Sequence, residues 1–269
     1  MAQIISKFLT KNPYFNDGKW ITGVNLNGFM LHSVGVGQPD PLVFINNWNR
    51  ANFTYAGISG FIGADAVYLT ASCLDTPNCV KRMPHGGKKY VNDHYIGFEM
   101  TEPDEIKYIG GDRFTISNLA AAQAHVRKTY ANAVELFAKL CLKHGKDPLN
   151  PGVIISHNEA GKQGIGTKHS DPEHLWTQLK LPFTMDGFRQ DVYNKMNEEE
   201  IDMTKDELVK LIDERISIKL TGENTEPSNW AAKELEEAVA MGITDGTRPR
   251  GYARREEVAA MVRRAVIKE

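Results

Sequence analysis

Four short apolar runs, interrupted by glycine and polar residues, limit the folds that this chain can adopt. They span Gly28 to His32, Ile58 to Ile62, Tyr95 to Met100 and Val153 to His157. Their lengths and flanking residues are typical of buried β-strands. We expect the first three to be neighbours in one sheet. The first and the last run each end in a histidine, which places two histidines at strand ends.

A long apolar repeat separates the third run from the fourth. Between Ile116 and His144, apolar side chains recur at spacings of three or four residues. This period predicts a long amphipathic α-helix with Ser117 as its N-cap and Gly145 as its end. Strands combined with such a helix predict an α/β domain, in which a central β-sheet is flanked by helices.

The length of 269 residues allows one catalytic domain and a smaller module. A charged run at Glu198–Asp202 indicates a domain boundary. We therefore assign residues 1–197 to the catalytic domain and residues 198–227 to a charged linker with an amphipathic helix. Residues 228–269 are assigned to a small all-α module.

The last part of the chain contains three predicted helices. The first runs from Lys205 to Leu220 and has an apolar stripe that needs a partner surface. The second begins at Ser228, its expected N-cap, and ends at Gly242. The third runs from Arg254 to Val266.

Composition excludes several classes of function. The formal net charge of −2 lacks the basic excess that nucleic-acid binding requires. No apolar run approaches the roughly 18 residues of a membrane span, so we expect no membrane insertion. The N-terminus does not resemble a signal peptide, so synthesis in the cytoplasm is expected. Free thiols at Cys73 and Cys79 are favoured over a disulfide between them. Cys141 is expected to be buried on the packed face of the long helix.

Three side chains from distant parts of the sequence are candidate metal ligands. His32 and His157 end apolar runs, and Asp171 follows a loop, residues 158–167, that contains three glycines. We expect this loop to return the chain so that Asp171 approaches the histidines. Two imidazoles and one carboxylate are a common ligand set of catalytic zinc sites, which leave a fourth position open. The pattern predicts a metal-assisted hydrolase.

Five segments occur in the order and spacing of a known enzyme family. They are Met30–Gly35, Phe44–Asn49, Asn92–Glu99, Ile155–Glu159 and His169–Trp176. As a set, they resemble the type 2 zinc-dependent N-acetylmuramoyl-L-alanine amidases, whose superfamily includes the peptidoglycan recognition proteins. The resemblance covers about residues 25–195. It implies the zinc amidase fold, in which the central sheet is mixed.

The resemblance also implies roles for five residues. His32, His157 and Asp171 would bind Zn²⁺, Glu99 would take a proton from the attacking water, and His169 would stabilise the developing oxyanion. The implied reaction is hydrolysis of the amide between the lactyl group of N-acetylmuramic acid and L-alanine. The implied substrate is the peptidoglycan of Gram-positive cell walls.

The chain departs from this family in two places. Ser59 occupies a position where many relatives have histidine, and Met83–Gly87 replaces a Trp-His-Ala-Gly segment. Residues 70–90 are therefore poorly matched, which affects substrate contacts more than the metal ligands. His85 either lines the groove or is an ordinary loop histidine.

The remaining histidines have simpler interpretations. His174 is expected to pack beside Trp176 rather than to bind metal. His94 is predicted at the surface or behind the site. His125 and His144 are predicted at solvent or cap positions of the long helix, because a cation suits a helix C-terminus.

Residues 228–266 resemble one repeat of the S-layer homology module, which binds secondary cell-wall polymers. Its Tyr252–Glu256 segment keeps the first arginine and the acid of the usual Ile-Thr-Arg-Ala-Glu motif but loses the threonine. Glycan binding and a structural or oligomerising role remain alternatives. We expect a homo-oligomer that assembles through the C-terminal region.

These features together predict a phage or prophage endolysin that acts on the cell wall after release from the host cytoplasm. A host autolysin is the alternative source. Two alternative functions also remain, namely a non-catalytic peptidoglycan-binding protein of the same superfamily and a zinc hydrolase of a different amide.

Overall fold

The computed structural model describes residues 3–199, 209, 210, 212, 213, 216, 226–247, 249, 253 and 255–267. Tertiary contacts divide the chain into two compact units, Met1–Glu200 and Ile201–Glu269. The finer division at residues 197 and 227 stays a prediction.

A six-stranded mixed sheet forms the centre of the first unit. Its order is β1-β5-β4-β7-β3-β10, and all neighbours are parallel except the antiparallel pair β4–β5. Two antiparallel pairs, β2–β6 and β8–β9, lie outside it. The strands are β1 Gln3–Ser6, β2 Trp20–Thr22, β3 Gly28–Gly37, β4 Gly60–Ile62, β5 Ala66–Leu69, β6 Cys79–Lys81, β7 Tyr95–Glu102, β8 Ile106–Gly110, β9 Arg113–Ile116 and β10 Ile154–Ser156.

Helices flank this sheet. They are α1 Pro41–Trp48, α2 Lys89–His94, α3 Leu119–His144, α4 His157–Lys162, α5 Glu173–Gln178 and α6 Met185–Glu199. The predicted fold class, an α/β domain with a central mixed sheet and flanking helices, is confirmed.

The long helix α3 packs on the central strands. Its Phe137 ring meets Phe29 of β3 and Phe98 of β7 in edge-to-face contacts, with centroid distances of 6.1 and 5.6 Å. All three rings are fully buried. Removing so much apolar surface from water fixes the helix against the strands that carry the candidate site.

The N-terminal end of α3 differs by one residue from the prediction. Asn118 is the N-cap, because its side-chain oxygen accepts a hydrogen bond from the Ala121 amide at 3.2 Å. The hydroxyl of Ser117, the predicted cap, donates to the Glu105 carbonyl instead. Gly145 ends the helix as predicted, and its φ of 62° is a left-handed conformation that favours glycine.

Three other details correct or confirm the sequence analysis. The predicted strand from Ile58 begins only at Gly60. Cys73, Cys79 and Cys141 are unpaired, as expected. The prediction for His144 is wrong, because its ring is buried and bridges the Cys73 carbonyl and the Asn78 amide at 2.7 and 2.8 Å.

In the second unit, the described secondary structure consists of two helices, α7 Ala232–Ala240 and α8 Arg255–Val266. Ser228 is not the N-cap of α7, since Ala231 holds that position without a side-chain hydrogen bond. The predicted helix from Lys205 to Leu220 lies largely outside the described residues. None of the described helices is long and apolar enough to cross a membrane.

Candidate metal centre

Parallel pairing of β3 and β10 places the two candidate histidine ligands side by side. Leu31 of β3 is in register with Ser156 of β10, and the residue that follows each of them in the sequence is a histidine. His157 follows β10 directly and is the first residue of α4. His32 lies inside β3 rather than at its end, because the strand continues to Gly37.

Asp171 completes a compact group of three buried ligand atoms. His32 Nδ1 lies 3.1 Å from His157 Nδ1 and 3.2 Å from Asp171 Oδ2. The distance from His157 Nδ1 to Asp171 Oδ1 is 3.4 Å. One ligand atom from each residue lies within 4.8 Å of the others. The structure thus brings together all three predicted ligands.

The protonation states of this group suit a divalent cation. Burial lowers the pKa of His32, which favours the neutral imidazole that a metal requires. Burial would raise the pKa of Asp171, but the imidazoles of His157, His169 and His32 close to its carboxylate outweigh this effect and hold that pKa well below its usual range. Two imidazoles and one carboxylate form a donor set that fits zinc.

Three hydrogen bonds hold the ligand-bearing segments in place. The Glu173 carboxylate accepts hydrogen bonds from Ser156 Oγ at 2.7 Å and Asn158 Nδ2 at 3.1 Å. The Asn158 amide also donates to the Asp171 carbonyl at 3.1 Å. These bonds join the end of β10 to the loop before α5, which fixes Asp171 relative to His157.

A capping box orients α4, the short helix that begins with His157. Ser156 accepts from the Glu159 amide, and the Glu159 carboxylate accepts from the Ser156 amide, each at 3.0 Å. Arg189 of α6 binds that carboxylate and donates to the Ile154 carbonyl. Residues 158–167 were expected to be a loop, but residues 158–162 belong to α4. The Ser156-x-x-Glu159 spacing is the sequence signature of such a helix start.

Glu99 lies beside the group on the neighbouring strand. It is in register with His32 in the parallel pair β3–β7. Its Oε2 atom is buried and lacks a hydrogen-bond partner among the described residues. Burial, with the nearby charges of Asp171 and Glu102, raises the pKa of Glu99 well above its ordinary value. A buried carboxyl with a raised pKa is suited to proton transfer.

His169 lies at the mouth of the site. Its ring stacks on that of His157, with a centroid distance of 4.1 Å and an angle of 7° between the planes. Its Nδ1 lies 3.5 Å from Asp171 Oδ1, and this contact raises the pKa of His169. The side chain is 56% exposed, so it can reach a substrate in the groove.

The other histidines do not join the three ligands. His174 Nε2 lies 2.7 Å from the Tyr108 hydroxyl, which donates to Glu102 Oε2 at 2.9 Å. His125 contacts the Thr101 carbonyl at 3.2 Å. His94 stacks on Tyr90.

His85 is not an ordinary loop histidine. It lines the groove, and its Nδ1 lies 2.9 Å from His32 Nε2. Three residues that contact the groove residues were not predicted from the sequence, namely Glu102, Tyr108 and Thr167. A glutamate at the end of an apolar strand is the sequence signal that could have identified Glu102. No local sequence pattern identifies Tyr108 or Thr167.

The three ligands, Glu99 and His169 line a common groove. Besides the ligands, Glu99 and His169, it is lined by Ser33, Val34, Gly35, His85, Tyr108, Gly111, Asp112, Lys168, Ser170 and His174. Backbone and polar side chains dominate this lining. Such a surface fits an extended polar substrate more closely than an apolar one.

Several solved structures are similar to this chain at low sequence identity. The structure of the Staphylococcus aureus hydrolase AmiA in complex with its ligand matches with a TM-score of 0.53 and 17% sequence identity, over 76% of this chain and 88% of that chain. The catalytic domain of XlyA matches with a TM-score of 0.49 and 15% identity, over 71% of this chain and 99% of that chain. A mutant endolysin from Bacillus subtilis matches with 0.47 and 16%, over 71% and 99%.

No protein-family profile and no curated protein sequence matches the chain. The likeness to the AmiA structure therefore rests on the course of the backbone, because few residues are identical. The first unit thus has the same fold as the hydrolase AmiA. In this chain, a buried His-His-Asp group lies in the groove.

Proposed function

We propose that this chain is a peptidoglycan hydrolase, a zinc-dependent N-acetylmuramoyl-L-alanine amidase. The observation that carries the proposal is the buried group of His32, His157 and Asp171 next to Glu99, whose Oε2 has no hydrogen-bond partner in the part of the chain that the structure describes. The fold shared with AmiA, a hydrolase, supports it. The family resemblance of the five sequence segments supplies the substrate and the bond that is cut.

In this proposal the three ligands hold Zn²⁺, which when bound supplies a Lewis acid that makes water a nucleophile near neutral pH. Glu99 takes a proton from the attacking water and returns it to the leaving amine. His169, exposed at the mouth of the site, donates a hydrogen bond to the oxygen on which negative charge develops.

The reaction cleaves the amide between the lactyl carbonyl of N-acetylmuramic acid and the amino group of L-alanine. Water supplies the hydroxyl group of the new carboxylic acid and the hydrogen of the new amine. An open polar groove suits a glycan with a peptide branch, because both carry many hydrogen-bonding groups. A different amide substrate is the competing outcome that product analysis distinguishes.

The second unit is proposed to attach the protein to the wall or to join its copies. Its described residues leave large apolar side chains exposed, including Trp230 at 83% and Val262 at 56%. Exposed apolar surface of this kind indicates an interaction site. Binding of secondary cell-wall polymer and self-association are the two proposals, and both rest on the S-layer-like pattern of residues 228–266.

The biological setting follows from the same resemblance. We propose that the protein is an endolysin of phage or prophage origin, made in the host cytoplasm and active on the Gram-positive wall after release. A binding protein without catalysis is disfavoured, because a pure receptor has little use for a buried Glu99 beside the metal ligands.

The test combines metal analysis with product analysis. Wild type is expected to carry one zinc, to reduce the turbidity of Gram-positive cell walls, and to release peptides with new L-alanine N-termini seen by mass spectrometry. His157→Ala should lose zinc and cleavage together. Glu99→Gln should keep zinc and lose about 100- to 10,000-fold in kcat.

His125→Ala is the matched control, since His125 bonds to strand β7 away from the three ligands. It should retain zinc and cleavage. Wild type that binds zinc and sediments with walls but releases no fragments would refute the enzyme and favour the binding protein.

A further inference from the structure

Each histidine of the metal group has a second ring nitrogen that faces away from the group. The Nδ1 atoms of His32 and His157 face each other and Asp171. His32 Nε2 lies 2.9 Å from His85 Nδ1. His157 Nε2 lies 2.9 Å from Thr167 Oγ1. Both outer nitrogens thus have a protein partner.

The hydrogen bonds behind His32 have one consistent direction. His85 Nε2 lies 3.0 Å from the Tyr95 carbonyl oxygen, which can only accept, so this nitrogen carries the proton. A neutral imidazole carries a single proton, which in His85 is therefore on Nε2. Its Nδ1 is then an acceptor, and His32 Nε2 must donate to it. The lone pair of His32 is left on Nδ1, facing the metal group.

The same reasoning applies behind His157. The Thr167 hydroxyl is 3.4 Å from the Gly86 carbonyl, which also accepts the Thr167 amide at 3.1 Å. A hydroxyl that donates to the Gly86 carbonyl, which can only accept, accepts in turn from His157 Nε2. The lone pair of His157 is likewise left on Nδ1.

The two supports meet in one short segment, because His85 and Gly86 are consecutive. Asn92 Oδ1 accepts hydrogen bonds from the amides of both residues, at 2.8 Å each. The His85 ring lies against the backbone of β7 at Gly97, where a Cβ atom would be 2.4 Å from His85 Nδ1. The segment is therefore held firmly on both sides.

We propose that the segment Pro84–Gly87 is a shared support for both histidine ligands. His85 acts through its ring on His32, and Gly86 acts through its carbonyl and Thr167 on His157. Both are positioning groups that fix which nitrogen of each ligand is free to bind. This inference rests on the metal site of the proposed function. It gives a role to a region in which the chain departs from the family motif.

The first test measures zinc affinity by competition with a chromogenic chelator. His85→Ala should weaken zinc binding by about 10- to 100-fold, as is typical when the partner of a metal-bound histidine is removed. His85→Gln should recover part of that loss, since the amide offers one acceptor and one donor. His125→Ala, which also removes a histidine bonded to β7, should leave the affinity unchanged.

A second pair of variants tests the other ligand and guards against a misfolded His85→Ala. Thr167→Val keeps the shape of the side chain but removes the hydroxyl, so it should weaken zinc binding. Thr167→Ser should restore it. Circular dichroism checks that each variant has the fold of wild type.

Nitrogen-15 NMR of the histidine rings is the readout that a merely structural role would not move. In metal-free wild type, His32 should be a single neutral tautomer with its proton on Nε2. In His85→Ala the two tautomers should mix. Wild-type zinc affinity in both His85→Ala and Thr167→Val, with the His32 tautomer unchanged, would overturn the inference and leave the proposed function intact. Wild type that binds no zinc would overturn both.

Discussion

Glu102 is a buried carboxyl group behind the groove, and it links β7 to the hairpin β8–β9. It accepts hydrogen bonds from the Gly35 amide at 3.0 Å and the Tyr108 hydroxyl at 2.9 Å. Burial raises its pKa from 4.5 to about 7, and these hydrogen bonds only partly oppose the shift. The charge of Asp171 adds to the increase in this pKa.

The raised pKa of Glu102 predicts a pH-dependent stability. Between pH 4.5 and 7 the folded state binds more protons here than the unfolded state, so this group's stabilisation falls as pH rises through that range. Glu102→Gln has no titrating group, so its stability relative to wild type should improve by about 2–3 kcal/mol from pH 4.5 to 8.

Urea unfolding followed by circular dichroism at both pH values measures this difference. Asp104→Asn, which removes an exposed carboxyl nearby, is the control and should show no such trend. An equal difference between Glu102→Gln and wild type at both pH values would contradict the assignment.

His169 allows a separate test of the proposed oxyanion stabilisation. It stacks on His157 but is more than half exposed, so its removal leaves the three buried ligands in place. We expect His169→Ala to keep its zinc and to lose about 100- to 1,000-fold in kcat, as for one donor to a developing oxyanion. Steady-state kinetics and metal content measure the two effects. Loss of zinc together with activity would instead make His169 part of the metal site.

At the scale of elements, the pairing of β3 with β10 determines the site. Strand β10 has only three residues and lies at the edge of the sheet, yet His157 directly follows it. The pairing begins where Phe29 donates to the Val153 carbonyl at 2.8 Å. Gly28 allows this approach, because a Cβ atom there would be 1.9 Å from the Val153 oxygen.

Gly28→Ala should therefore push β10 away from β3. We expect a loss of about 1–3 kcal/mol in the free energy of unfolding, as for other insertions into packed interiors. Zinc affinity should fall as well, because His157 moves with β10. Urea unfolding and chelator competition measure these effects. A variant with unchanged stability and zinc affinity would show that β10 is not held by this contact.

For the whole molecule, the two compact units suggest separate roles. The ligands, Glu99 and His169 all lie in Met1–Glu200. We expect a chain of residues 1–200 to fold, bind zinc and cleave a soluble muropeptide at a rate close to that of the intact protein. It should sediment less with cell walls, and size-exclusion chromatography should give a monomer.

Sedimentation with purified walls and product analysis compare the two chains directly. Equal wall binding by residues 1–200 would contradict attachment through the second unit. An intact protein that is a monomer at high concentration would contradict self-association.

Much of the architecture could be predicted from local patterns. The apolar runs at Gly28, Tyr95 and Val153 correspond to β3, β7 and β10, and the apolar period predicted α3 with its Gly145 end. These features depend on neighbours in sequence, so periodicity and capping preferences identify them. The N-cap of α3 shifted by one residue, because the Ser117 hydroxyl donates to Glu105 instead, and β4 starts two residues later than predicted.

The sequence by itself determined which residues could serve as ligands and which runs form the sheet. Only the tertiary structure decided that β3 and β10 pair in a register that places His32 beside His157. Only the tertiary structure placed His85 behind His32. This contact requires a glycine at position 97 of β7, because a Cβ atom there would collide with the His85 ring. The physical reason is that such contacts join residues distant in the chain, whose packing no local pattern encodes.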